Sequence, residues 1–206
     1  MKPARLFPSV AICLLGLVAA GLISGCFSPL ATRHAAITQI PANPTIAILP
    51  FDNYTDQDLV AAKVTEYFQS IMAARPNYTV IENGTTFEAL RRLRIRTATV
   101  LRQGQLDTLA QALHADYFLA GSVLEYREVG DKFLDRIPQV SINARLIDAK
   151  TGATVWTGVS NDSGDRKELL FGLGAIKSAD ELSRKMIESM VANIDELFHR
   201  AGGQSS

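Results

Sequence analysis

The spacing of apolar residues changes several times along the chain, and each change marks an element. Leu6 to Ile23 is apolar almost without a break, behind a short basic end that holds Lys2 and Arg5. Phe27 to Asn43 has no sustained period and contains Pro29 and Pro41, so it reads as a linker. Thr45-Ile46-Ala47-Ile48-Leu49-Pro50-Phe51 is short and nearly all apolar, which suits a strand buried on both faces. A loop over Asp52–Asp56 follows. Thr55 and Asp58 then have the spacing of a capping box, ahead of a helix with Val60, Val64, Tyr67, Phe68 and Ile71 on one face. Pro76 stops that helix, and Tyr78–Glu82 is a second strand. After a break at Asn83-Gly84, Phe87, Leu90 and Leu93 mark a short helix. Leu106, Leu109, Ala110 and Leu113 mark another, and Arg94–Gly104 between them has no clear period.

A third strand runs from Ala115 to about Arg127, and a polar connection spans Val129–Pro138. Val140, Ile142, Ala144 and Leu146 then alternate with Ser141, Asn143, Arg145 and Ile147, the pattern of a half-buried strand. Asp148–Gly152 reads as a tight turn in which Gly152 takes a positive φ, and Thr154–Ser160 returns beside it. A glycine-bearing stretch leads to Ser178 and Glu181, a capping box. The helix it opens carries Leu182, Met186, Ile187, Met190, Val191, Ile194 and Phe198 on its apolar face. The order β-α-β-α-α-β-β-β-α predicts an α/β fold, a single mixed-sheet sandwich.

The first 26 residues carry an address. A basic end, an apolar run and small residues before a cleavage point describe a signal peptide. Ile23-Ser24-Gly25-Cys26 resembles the lipobox of bacterial lipoproteins, in which the cysteine becomes acylated. Cys13 does not fit that role, because Ile12 stands where a small residue is needed. The expected organisation is a lipoprotein signal peptide over 1–25 and a lipidated cysteine with linker over 26–43. An α/β domain over 44–200 and a polar tail over 201–206 complete it. A 17-residue linker has a coil dimension of roughly 20–25 Å and an extended limit of about 60 Å, so the domain stays near its membrane.

Removing residues 1–25 from the 206 leaves 181, enough for one domain with a proper core. The mature part keeps 19 basic residues against 21 acidic ones, because only Lys2 and Arg5 leave with the signal. That balance gives no support for a nucleic-acid partner. With Cys13 removed and Cys26 acylated, no thiol remains for a disulfide. The core alone must hold the fold.

Several segments together carry a family resemblance. They are Ile46–Phe51 with Asn53, Tyr78–Glu82, Ala115–Val123, and Arg145–Gly152 with Val155-Trp156. In this order behind a lipobox, the chain resembles one periplasmic superfamily. It is that of the curli-secretion lipoprotein CsgG, the penicillin-binding-protein activator LpoB and the N-terminal domain of TolB. The resemblance implies an anticodon-binding-domain-like α/β sandwich and a non-enzymatic interaction module in cell-envelope assembly. It implies no cofactor. It also implies attachment to the outer membrane through acyl chains such as palmitate on Cys26, with the domain facing the periplasm and an envelope protein as partner. Phe27 after the cysteine, rather than Asp, fits delivery to the outer membrane. Two departures matter. The Arg127–Pro138 link is short and charged and offers no membrane strand of the ~9–11 residues a pore hairpin needs. The linker is too short to cross the periplasm. A non-pore subunit of a CsgG-like secretion assembly is the alternative reading, and an envelope hydrolase the second.

Candidate chemistry is sparse. His34, His114 and His199 share no metal-ligand spacing. Gly172-Leu173-Gly174 begins like a dinucleotide loop but lacks the third glycine and the βαβ setting. No Gly-x-Ser-x-Gly elbow occurs. Arg91, Arg92, Arg94, Arg96 and Arg102 form the one basic concentration. They are either a solvated helix face or a contact for anionic lipid, cell-wall polymer or an acidic protein. Asn53 and Tyr54, after the first strand, and Trp156, more simply read as sheet packing, complete the candidate interaction residues.

Overall fold

Ile46, Ala47, Ile48 and Leu49 have no exposed surface. Their strand lies between two helical layers, so successive side chains, pointing to opposite faces, are all buried. The computed structural model that shows this describes residues 30–34, 41, 43–96, 101–130, 136–167 and 176–202. The elements up to the centre of the chain are β1 (Ala31–His34), β2 (Thr45–Ile48), β3 (Asp52–Asn53), α1 (Val60–Ala73), β4 (Thr79–Ile81), α2 (Asn83–Arg92) and α3 (Gln103–Leu113). After them come β5 (Tyr117–Val129), β6 (Ile137–Asp148), β7 (Thr154–Ser163) and α4 (Ala179–Gly202), with a 3-10 turn at Gly164–Lys167.

One mixed sheet has the order β1-β7-β6-β5-β2-β4, with β3 also on β5. β2 is parallel to both β4 and β5, while β5, β6, β7 and β1 form an antiparallel meander. The α/β mixed-sheet architecture is therefore the one expected.

α1 and α4 cover one face. Val64, Phe68, Met72, Met186, Ile187, Met190 and Ile194 pack there against Ile46, Leu119, Val123, Ile142 and Leu146. α2 and α3 cover the other face over the parallel strands and the end of β6, where Leu90, Leu109 and Leu113 share a core with Ala47, Leu49, Phe118 and Ile147. Gly121 allows the Phe51 ring to lie on the sheet, since a Cβ there would meet that ring at 2.3 Å. Phe51 in turn stacks on Phe68 at 4.9 Å between centroids. Among the described residues, no helix is long and apolar enough to cross a membrane.

The linker expectation over 26–43 needs correction. Ala31–His34 is an edge strand, pairing antiparallel with β7 from Ala31↔Val159 to His34↔Trp156. It covers the backbone groups that β7 would otherwise leave unpaired. Four residues, Phe27–Leu30, then separate Cys26 from the sheet. Four residues extend about 15 Å at most.

Three smaller differences follow, two of them from strand pairing. Asp52–Asn53 is not loop but a short strand on β5. The polar connection shrinks, because Val129 pairs with Ile137 and Glu128 with Pro138. Thr55 does not cap α1, whose N-cap Leu59 has no side-chain bond. Ser178 does cap α4, its hydroxyl accepting from the Asp180 N–H at 3.2 Å. Gly152 has φ 69° as expected, in a turn where Asp148 accepts from the N–H groups of Lys150 and Thr151.

Candidate functional site

The candidate residues fall at three places. Asn53 and Tyr54 lie beside the β5–β6 hairpin. Asn53 serves the loop itself: its Oδ1 accepts from the Thr55 N–H and hydroxyl, and its Nδ2 donates to the Gln57 carbonyl at 2.7 Å. Gln57 Nε2 ties the loop to the Tyr126 carbonyl. The result holds Tyr54 out in solvent, 65% exposed. A register shift between Val123 and Glu125 turns Leu124 outward beside it. Tyr54, Asp56, Leu124, Glu125, Arg127 and Ser141 line an open cleft of about 420 Å³. A neighbouring cleft of about 410 Å³ shares Asp56 and Arg127 and reaches Arg136 and Ala179.

Beneath these clefts the Tyr126 hydroxyl donates to Asp180, and Lys63 Nζ donates to the same carboxylate at 2.9 Å. Burial, followed by this hydrogen bond, raises the Tyr126 hydroxyl well above its usual range. The bonds from Tyr126 and then Lys63 hold Asp180 below the ordinary carboxylate value, and the Asp180 bond raises Lys63. All three groups keep fixed charges near neutrality and none is poised to exchange a proton there. The trio joins β5, α1 and α4 as a clamp. Its ion pair is nearly half exposed on both sides, so screening leaves it a small share of stability.

Trp156 is a correction. It has no exposed surface and belongs to the core under α4, so it presents nothing to a partner in this fold. Its face follows from register: Trp156 lies opposite Leu146, on the side α4 covers.

Arg91, Arg92 and Arg94 gather at the other end of the sheet, with Arg96 and Arg102, and all five are exposed. The end of α2 explains the gathering. Arg94 has φ 56°, its N–H bonds to the Arg91 carbonyl, and the Ile95 N–H reaches back to the Leu90 carbonyl. That is a Schellman ending with arginine at the left-handed position usually given to glycine. Sequence reading missed it for want of the glycine. It also missed Phe87, 41% exposed and one turn before Arg91. The apolar spacing of Phe87, Leu90 and Leu93 predicts Phe87 on the inward face, but α2 buries Thr86, Ala89 and Leu90 and leaves Phe87 outside.

Cys26, with Ile23, Ser24 and Gly25, lies outside the described residues, as does the Gly172–Gly174 stretch. Among the described residues, no group of three or more His, Cys, Asp or Glu side chains could hold a metal.

The family model for the peptidoglycan-synthase activator LpoB matches residues 24–161. Three solved structures are similar. PelC, a dodecamer from Paraburkholderia phytofirmans, is 17% identical over 77% of this chain and 93% of that chain, with TM-score 0.51. Lipoprotein GNA1162 from Neisseria meningitidis is 19% identical over 73% and 99%, with TM-score 0.51. Protein CT253 from Chlamydia trachomatis is 13% identical over 76% and 98%, with TM-score 0.52. At these identities the likeness establishes the fold. No curated protein sequence matches the chain.

Proposed function

The chain belongs to the family of the peptidoglycan-synthase activator LpoB, and from that membership we propose that it is a lipid-anchored envelope protein that regulates a peptidoglycan synthase by docking. The observation that carries this reading is the family match over residues 24–161, which begins inside the lipobox and runs into β7. In this reading residues 1–25 are removed as a signal peptide, Cys26 bears acyl chains, and the domain faces the periplasm from the outer membrane. The chain catalyses nothing itself; it binds and alters a partner.

The tether sets the geometry of docking. Phe27–Leu30 allow about 15 Å between lipid and sheet. Lipid confines the domain to a layer, which raises its effective concentration for a partner in that layer. The partner, or the complex that carries it, supplies whatever further reach the periplasm demands.

Three measurements test the reading. Metabolic acyl labelling marks the wild-type protein and is lost in Cys26→Ser. The wild-type protein fractionates with the outer membrane. In-cell crosslinking followed by mass spectrometry captures a peptidoglycan synthase. An unlabelled wild-type protein, or crosslinks that never include a synthase or its complex, would refute it.

A second reading has one observation in its favour. The PelC structure with this fold is a dodecamer, which favours an oligomeric assembly of this chain. Sedimentation of the purified lipoprotein separates the two: a monomer excludes the assembly, and a discrete large particle supports it.

A further inference from the structure

Five arginines within twelve residues of chain are exposed at one end of the domain: Arg91, Arg92, Arg94, Arg96 and Arg102. Among the described residues none of them forms an ion pair. By contrast, Lys63, Arg75, Arg127, Arg136, Lys185 and Arg200 each face a carboxylate within 4.0 Å. The four residues between Arg96 and Leu101 are Thr97, Ala98, Thr99 and Val100, which add no acid. Positive charge is thus concentrated here and, among the described residues, has no carboxylate partner.

Arg94 adds a second observation. It stands at φ 56°, where a side chain strains the backbone and glycine would not. Such positions gather where something other than stability holds the residue in place. Phe87 adds a third, an exposed aromatic ring four residues before Arg91 and hence on the same strip of α2.

Topology fixes which way this end points. β1 runs parallel to β6, since both are antiparallel to β7. The chain upstream of Ala31 therefore leaves toward the Val129–Ile137 hairpin. β4 and β5 run in the same direction as each other, both being parallel to β2, so α2 and α3 carry the chain back to the opposite end, where β5 begins. Gln103 lies against Gly152 in the β6–β7 turn at that opposite end. In the proposed reading, a lipid on Cys26, separated from Ala31 by only four residues, holds the hairpin end to the membrane and turns the arginines away from it.

We propose that this arginine end is the partner-docking surface of the protein, and that it takes an acidic surface of a peptidoglycan synthase or of a protein in its complex. The inference rests on the regulatory reading above and names the surface and chemistry it uses. Anionic lipid is the poorer occupant, because the patch faces away from the anchor. An extended wall polymer is also poorer. The charges form a compact cluster with one aromatic, and both described clefts lie at the other end. Arginine and aromatic anchors are the side chains that dominate protein interfaces, and an acidic partner gains from electrostatic steering.

The test uses the full chain in living cells. A photocrosslinking p-benzoylphenylalanine replaces Phe87 in one strain and Leu59, 76% exposed near the hairpin end, in another. The adducts are identified by mass spectrometry. The expected result is a synthase-complex protein crosslinked from position 87. Its yield falls at least tenfold in Arg91→Glu/Arg92→Glu/Arg94→Glu and less in the matching Gln variant, both with wild-type melting curves. Crosslinking to the synthase complex from position 59 but not 87 overturns this surface and leaves the regulatory reading intact. So does an unchanged yield after charge reversal. An adduct at 87 that muramidase releases replaces the protein partner with cell wall. Absence of the synthase complex at both positions overturns the regulatory reading with it.

Discussion

Arg94 occupies a place that glycine fills without strain. Arg94→Gly therefore stabilises the domain by up to about 1 kcal/mol, read as a rise of a few degrees in Tm, while weakening docking. A drop in Tm would show that the arginine side chain holds α2 together. Trp156 behaves in the opposite way. It is fully buried and its indole N–H has no partner among the described residues. Trp156→Ala costs about 3–5 kcal/mol through the cavity it leaves, and Trp156→Phe costs clearly less because no hydrogen bond is lost. Equal losses in chemical denaturation would contradict this packing role. Two titrations also have signs that follow from burial and bonding. Tyr117 is pushed up to about 12 by burial and by the carboxylates of Asp148 and Asp116. The raised value means its stabilising share is complete below pH 10.0 and is lost between there and about pH 12. Asp180 is lowered, so its share is present above the ordinary carboxylate value of 3.8 and fades as acid takes the pH through the lowered value. Stability measured across both ranges should fall at each end, and Tyr117→Phe should remove part of the alkaline fall.

Elements were legible in proportion to how locally their pattern is set. β2 and the apolar faces of α1 and α4 announce themselves, because burial imposes a period on neighbouring residues such as Ile46–Leu49 or Val60, Val64 and Phe68. β1 and β3 did not. Ala31–His34 and Asp52–Asn53 are too short for a period, and each is a strand only because β7 or β5 offers an edge to it. The left-handed turn at Arg94 was hidden for the same kind of reason: its bonds to Arg91 and Leu90 are visible only in three dimensions. The arginine run itself was plain in the sequence, but its place at the end of the sheet opposite the one the chain before Ala31 leaves toward needed the pairing of β1. An edge strand held by one neighbour opens before the centre of the sheet. Amides of β1 should exchange with solvent orders of magnitude faster than those of β6, which has a partner on both sides. Equal protection would place β1 inside the cooperative unit.

The molecule as a whole has two unlike ends, the Val129–Ile137 hairpin end and the arginine end. The family match supports the proposed regulatory role. In the lipoprotein reading, the pairing of Ala31 with Val159 leaves only Phe27–Leu30 as the leash, and the proposed docking end is the one with the arginines, which form no ion pair among the described residues. Lengthening the leash alters reach but not the docking surface. Inserting a flexible segment between Leu30 and Ala31 should therefore leave partner binding in detergent unchanged while altering crosslinking in cells. The most direct measurement of the central claim is the glycan-polymerisation rate of the same cell's peptidoglycan synthase, purified in detergent, with and without the full lipidated protein. The account predicts a saturable rise in rate that Arg91→Glu/Arg92→Glu/Arg94→Glu abolishes. A rate that stays flat at saturating protein, for every synthase of that cell, would contradict it.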